Sequence, residues 1–357
     1  MGVQEEIENI EDELKRTKYN KATQGHIGKL KAKLAKLRTE QTKSSGKKGV
    51  GYSIKKSGDA TVILVGFPSV GKSSLLNKLT NAESKVGAYD FTTLDVIPGV
   101  LEYNNTTIQM LDVPGLITEA SAGKGRGKEI MSVIRNADVL LIIAAGENEE
   151  KIIRQVDLIN QELYNGGFRL NKERPDVRIY KKNFGGVRVD STVKLTKMGI
   201  SEVRSVLNEF GIYNADILIR ENITSDELID AIMTNRVYIP SLVVVNKIDK
   251  FNPKKLPFEY IGVSATDGEN IDKLKEIIWK RLDVIRIYLK KIGKEPDMED
   301  PIIFRKSVTV EGVCKKIHQK FLDSFRYARI WGSSKFPGQK IGLEYTLKDK
   351  DIVELHM

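Results

Sequence analysis

The chain has 357 residues, a net charge of +10 and a hydrophobic fraction of 40%. This is longer than one ordinary domain and apolar enough for folded cores, so about two to four domains are expected and wholesale disorder is excluded. A single cysteine, Cys314, rules out an intrachain disulfide and fits a reducing, cytoplasmic compartment, and the charged N-terminus, lacking an apolar core, leads to the expectation of no signal peptide. The most apolar run, Val139–Ala145, is far shorter than the ~20 residues that cross a bilayer, and Glu6 stands where a myristoylation motif has Ser or Thr.

In chain order, Ile7, Ile10 and Leu14 recur at helical spacing, and after a break near Tyr19-Asn20 so do Ile27, Leu30, Leu34 and Leu37. Two helices follow from this pattern. From Lys15 to Lys56 there are fourteen Lys or Arg and one acid, Glu40, a local charge of +13. Lys29, Lys33 and Lys36 lie beside the second apolar stripe, so one face can pack while another meets a polyanion such as RNA. An ordinary solvated hairpin is the competing reading. Its apolar face lacks Trp and Phe, which argues against a membrane. The Gly/Ser/Lys-rich stretch Ser44–Gly51 reads as a linker, completing a first segment over residues 1–57.

Next comes a strand, Ala60–Val65, then a helix from Gly71 to about Leu79. Further apolar strands are expected at Thr107–Leu111, Val139–Ala144, Leu242–Val245 and Tyr260–Val263, with helices at Lys128–Asn136 and Asn270–Leu289. Short buried strands alternating with helices define an α/β class with a mostly parallel sheet, over residues 58–164 and 239–292. Between Gly146 and Pro240 the chain is longer than one helix requires. Val177–Tyr180 and Val187–Val189 are expected to pair as a hairpin around Asn183–Gly186, covered by helices Ser201–Phe210 and Thr224–Met233. Residues 165–238 therefore form a small inserted α+β domain. In residues 293–357, strands at Ser307–Val310, Tyr327–Trp331, Ile341–Tyr345 and Ile352–His356 are expected to wrap one helix, Gly312–Leu322.

The chemistry is carried at strand ends. Gly66-Phe67-Pro68-Ser69-Val70-Gly71-Lys72-Ser73 has every fixed position of the phosphate-binding loop, with Ser74 continuing into the helix. Glycines let backbone N–H groups turn towards phosphate oxygens, and the helix N-terminus adds its positive dipole. Lys72 is placed to meet the β- and γ-phosphates, and the Ser73 hydroxyl to ligate Mg²⁺. Asp112-Val113-Pro114-Gly115 supplies a carboxylate for Mg²⁺ and, at Gly115, an unobstructed N–H for a γ-phosphate. Asn246-Lys247-Ile248-Asp249 places a carboxylate that can accept from both N1–H and the 2-amino group of guanine, with the Lys247 stem against the base. Adenine offers an acceptor at N1 and no 2-amino group; polar pairing of this kind discriminates by ~10⁴–10⁵, which disfavours an ATP site. Ser264-Ala265 ends the next strand, where a backbone N–H is expected to meet guanine O6.

Tyr89-Asp90-Phe91-Thr92-Thr93-Leu94 followed by Pro98-Gly99 resembles the first switch of the Obg-like, translation-factor-related GTPases. The phosphate loop, Leu111-Asp112-Val113-Pro114-Gly115-Leu116 and Gly123-Lys124-Gly125-Arg126-Gly127-Lys128-Glu129 narrow the resemblance to the developmentally regulated GTP-binding proteins. So do Thr309-Val310-Glu311-Gly312, Tyr327-Ala328-Arg329-Ile330-Trp331-Gly332 and Gly338-Gln339-Lys340-Ile341-Gly342. The resemblance implies a P-loop GTPase domain, an N-terminal helical hairpin, a ribosomal-protein-like insertion and a C-terminal β-grasp TGS domain. It implies GTP and GDP as ligands, Mg²⁺ held by Ser73, Asp112 and Thr93 (with Thr92 the alternative), and Lys72, Thr93 and Gly115 as the catalytic set. Leu116 stands where many regulatory GTPases carry a water-orienting Gln, so slow intrinsic turnover is expected, accelerated by K⁺ or a partner. Ser69 stands where K⁺-using relatives commonly have Asn. Arg126 is a weaker candidate for transition-state charge than for a second-switch or RNA contact. A monomer acting on RNA or the ribosome, with a dedicated regulatory protein as a further partner, is the implied setting; a GTP-regulated interaction scaffold is the alternative.

Overall fold

The computed structural model describes residues 3–20, 22–44, 58–80, 96–113 and 126–357. In chain order these form helices α1 (Val3–Arg16) and α2 (Gln24–Ser44), strand β1 (Ala60–Gly66), helix α3 (Lys72–Leu79) and strands β2 (Ile97–Tyr103) and β3 (Thr106–Asp112). Helix α4 (Arg126–Ile134), β4 (Val139–Ala144), α5 (Glu149–Asn165), β5 (Phe168–Leu170), β6 (Val177–Lys181), β7 (Val187–Ser191), α6 (Ile200–Glu209), β8 (Ala215–Ile219), α7 (Ser225–Ile232) and β9 (Val237–Ile239) follow. The chain ends with β10 (Ser241–Asn246), β11 (Tyr260–Val263), α8 (Ile271–Leu282), β12 (Val284–Leu289), β13 (Ile302–Arg305), α9 (Val310–Ile317), α10 (Gln319–Asp323), β14 (Tyr327–Trp331), β15 (Gln339–Ile341) and β16 (Asp351–His356). It divides into two units, residues 1–51 with 162–238, and residues 52–161 with 239–357.

The second unit contains a six-stranded sheet in the order β11-β10-β4-β1-β3-β2. Every pairing is parallel except β2 with β3. β1 and β4 are buried along their whole length, as strands covered on both faces must be. Val62, Leu64, Ile108 and Leu141 share a core with Leu75 and Leu79 of α3 and Leu274 and Ile278 of α8. Each such side chain contributes roughly 1.5–3 kcal/mol by leaving water. Parallel pairing brings Gly66, Asp112, Asn246 and Val263 to one edge of the sheet, where ligands bind in such folds.

A second sheet, β13-β12-β16-β14-β15, packs on α9 through Ile287, Val313, Ala328, Ile330 and Val353. Here the expected elements shift. The helix anticipated over Asn270–Leu289 stops at Leu282, because Asp283 turns left-handed (φ 49°) and Val284–Leu289 becomes β12, hydrogen-bonded to β16. The strand anticipated at Ser307–Val310 is instead a helix start, with the Thr309 hydroxyl accepting from Gly312 N–H at 3.4 Å. The single helix Gly312–Leu322 is broken at His318, whose Nδ1 accepts from Lys320 N–H.

In the first unit α1 and α2 meet through Ile7, Ile10, Leu30, Leu34 and Leu37, the anticipated stripe. α2 also packs on α6: a side chain at Gly28 would press on Glu202 Cγ at 2.9 Å. Glu202 is buried there, which raises its carboxyl pKa. Four of the hairpin's basic residues are tied to carboxylates, Lys31 to Asp226 and Lys33 to Glu6 at 2.6 Å each, Arg38 to Glu11 at 2.7 Å and Lys36 to Glu209 at 3.9 Å. The buried Asp230 takes Arg169 and Arg236 together. β6 and β7 do not form a hairpin. β8 lies between them, antiparallel to β6 and parallel to β7. Parallel neighbours require a crossover, and α6 supplies it.

Among the described residues no helix is long and apolar enough to cross a membrane.

Candidate functional site

β1 delivers the chain into a tight turn and α3. Gly66 lies against the Ile143 carbonyl, so a β-carbon there would collide with backbone. Ser69 and Gly71 adopt left-handed φ values of 63° and 89°, and these curl the loop over the start of α3. Pro68 and Ser69 are exposed at the loop's crest, Val70 anchors it in the core, and Ser73 and Ser74 are exposed on the first turn of α3.

Lys72 folds back under this loop, donating to the carbonyls of Gly66 (3.2 Å) and Phe67 (3.3 Å). Among the described residues no carboxylate bonds its ammonium directly. Burial lowers its pKa, partly opposed by the charge of Asp112. The Ser73 hydroxyl donates to Asp112 Oδ2 at 2.7 Å, although the two residues lie 39 positions apart. Asp112 is buried at the end of β3, and its Oδ1 has no hydrogen-bond partner among the described residues. An orphaned carboxylate oxygen beside a hydroxyl is a hard-oxygen pair that suits Mg²⁺. Thr93, Thr92, Gly115, Leu116 and Lys124 lie outside the described residues, as does the side chain of Arg126.

Asn246 joins the two halves of the site. Its Nδ2 donates to the Val70 carbonyl at 2.9 Å and the Gly71 carbonyl at 3.4 Å. Its Oδ1 accepts from Ala265 N–H at 3.1 Å. The Gly71 Cα lies so close to Nδ2 that a β-carbon would clash. Lys247, itself at φ 65°, donates to the Ser69 carbonyl at 2.7 Å. Asp249 is exposed, and its Oδ1 accepts from the Ser264 hydroxyl at 2.7 Å.

These contacts refine one expectation. Ser264 N–H donates to the Glu269 carbonyl and Ala265 N–H to Asn246, so neither backbone donor is open, and a base carbonyl would have to share the second. Ser264 acts through its side chain, holding the Asp249 carboxylate. Asp267 was not anticipated. It accepts from the same hydroxyl at 3.3 Å and returns its N–H to that oxygen at 3.1 Å. The Asp267-Gly268 turn signal, with Gly268 at φ 82°, was the available clue.

Three families match the chain: 50S ribosome-binding GTPase over residues 61–177, the C-terminal region of that domain over 184–284, and TGS domain over 285–357. The fold and this loop therefore define a P-loop GTPase domain followed by a TGS domain. A GTP-binding protein of Methanocaldococcus jannaschii is 52% identical over 368 residues, covering 99% of this chain and 93% of the relative. A GTP-binding protein of Halobacterium salinarum is 45% identical, covering 99% of each. Developmentally-regulated GTP-binding protein 2 of Homo sapiens is 43% identical over 364 residues, again covering 99% of each. The chain belongs to the family of GTP-binding proteins that includes the developmentally regulated GTP-binding proteins.

Proposed function

We propose that the chain binds GTP with Mg²⁺, hydrolyses it slowly to GDP and phosphate, and uses the change to switch its interaction with RNA of the ribosome. The observation that carries the reading is the Asn246 side chain, which holds the phosphate loop and the Ala265 turn beside Asp249 on one scaffold. A ligand joining a phosphate chain to a guanine base needs both ends presented together.

In this reading Lys72 exchanges its two carbonyl partners for β- and γ-phosphate oxygens, which offsets the cost of its burial. Ser73 and Asp112 would hold the metal, which would supply positive charge against that building on the phosphate oxygens. Asp249 accepts from guanine N1–H and the 2-amino group, oriented by Ser264. Thr93 and Gly115 close on the γ-phosphate and are released when it leaves, relaxing both switches. The RNA side of the reading is supported by the net charge of +10 and by the ribosome-binding description of the matched family.

The test is GTP turnover by purified protein in Na⁺ and in K⁺, alone and with ribosomes, with Lys72→Ala as control. Slow basal turnover that ribosomes accelerate, abolished by Lys72→Ala, is the expected result. Fast turnover by the isolated protein in Na⁺ would refute the slow-switch reading. Guanine-specific binding with no response to ribosomes would refute the ribosomal role.

A further inference from the structure

We propose that the exposed end of the three-stranded β6-β8-β7 sheet is a contact surface for single-stranded RNA. The inference deepens the RNA reading above and rests on it, but it places the contact away from the hairpin to which the charge distribution first points.

Three aromatic side chains are left in water at this end: Tyr180 is 55% exposed, Phe184 84% and Tyr213 65%. The segments carrying Phe184 and Tyr213 are held together by one residue. Asn214 Oδ1 accepts from Gly186 N–H at 2.8 Å, its Nδ2 donates to the Asn183 carbonyl at 3.3 Å, and its own carbonyl accepts from Lys182 N–H at 2.9 Å. The 182–186 turn, which carries Phe184, is thereby clamped to the segment that carries Tyr213. Tyr180 lies two residues before the clamp, opposite Asp216 in the β6–β8 pairing. The inward face of the sheet has its own core of Val177, Ile179, Val187, Val189 and Ile217. The fold therefore does not need these three rings for packing.

Charge selects the partner. Lys182 is paired with Asp216, and Arg188 with Asp190. Arg178 and Lys181 form no ion pair or side-chain hydrogen bond with a described residue; Arg178 shares the outer face of β6 with Tyr180, while Lys181 alternates to the other face and is exposed at the strand's end, on the rim of the surface. An apolar protein partner would desolvate Arg178 and Lys181 without a counter-charge, at a cost. Phosphates supply that charge, and unpaired bases supply flat faces for the rings. A duplex keeps its bases stacked internally, so unpaired RNA fits better. On the hairpin, Lys31, Lys33, Lys36 and Arg38 already have carboxylate partners; Lys18 and Lys29 have none among the described residues, but they stand with a single exposed ring, Tyr19, rather than three.

The experiment measures binding of the full chain with GDP to a labelled 12-nucleotide oligouridylate, and to a 12-base-pair RNA duplex, by fluorescence anisotropy across a salt series. Ribosome pelleting runs in parallel. Tyr180→Ala/Phe184→Ala/Tyr213→Ala should weaken the oligouridylate by about tenfold for each ring engaged. Arg178→Gln/Lys181→Gln should make the salt dependence shallower by about 1.4 in log–log slope, two phosphate contacts at roughly 0.7 each. Unchanged thermal unfolding and GDP affinity show that both variants remain folded. Wild-type affinity for the oligouridylate in the triple variant overturns this surface and leaves the RNA reading standing. Wild-type protein that pellets with ribosomes but ignores the oligouridylate overturns this surface alone. Wild-type protein that does neither overturns both.

Discussion

Replacing Asn246 by Ala should damage both halves of the nucleotide site at once. The side chain is 2% exposed and makes three hydrogen bonds, at 2.9, 3.4 and 3.1 Å, to Val70, Gly71 and Ala265. Alanine removes all three and orphans the N–H of Ala265 and the carbonyl of Val70, both in buried residues. Each neutral bond contributes about 0.5–1.5 kcal/mol net, and each orphaned buried group costs about 1–3 kcal/mol. Some relaxation brings the expected loss to roughly 2–4 kcal/mol, about 30- to 1,000-fold in affinity. Asn246→Asp should be no better. It keeps an acceptor for Ala265 N–H but turns a carboxylate oxygen towards the Val70 carbonyl, where the native group donates. The assay is displacement of a fluorescent guanine nucleotide by GDP, with thermal unfolding of nucleotide-free protein alongside. Part of the loss will appear as a lower Tm, because the same bonds hold the empty loops. An Asn246→Ala protein within twofold of wild type in GDP affinity, with unchanged Tm, would refute the idea that this side chain couples the two loops.

Asp249→Asn presents a donor where the carboxylate accepts, so GDP should weaken by at least about a hundredfold. Xanthosine diphosphate, whose 2-oxo group accepts, should gain; an unchanged preference in a competition assay would show that Asp249 does not face the base. Lys72→Met should abolish nucleotide binding yet raise the Tm of nucleotide-free protein at neutral pH. The sign follows from the lowered folded-state pKa: the native state disfavours the proton, so the buried cation destabilises below that pKa, and the penalty fades as pH rises towards the ordinary 10.5. The advantage of Met over Lys should therefore shrink in unfolding experiments at increasingly alkaline pH. A constant difference would exclude burial of the ammonium as its source.

The sequence by itself determined the parts whose physics is local. Gly66 to Ser73 is one continuous strand–turn–helix, so its glycine spacing and flanking apolar strand show a phosphate cradle without knowledge of distant contacts. The same holds for Asn246 to Asp249 at the end of β10, and for the apolar stripe that packs α1 on α2. Tertiary structure decided whatever depends on a remote partner. Val284–Leu289 continues an apolar helical pattern, and only pairing with β13 and β16 makes it a strand. β6 and β7 look like a hairpin because the strand that separates them, β8, comes 24 residues after β7 and returns through the α6 crossover. Asn246 reaches Val70 across 176 positions, a tie no local pattern encodes. Lys31, Lys33, Lys36 and Arg38 read as part of a free basic face in one dimension, yet Asp226, Glu6, Glu209 and Glu11 meet them once the chain folds. A side chain's local conformation is set by its neighbours in the chain. Whether its charge or hydrogen-bonding capacity remains available is set by which distant groups the fold brings within about 3 Å.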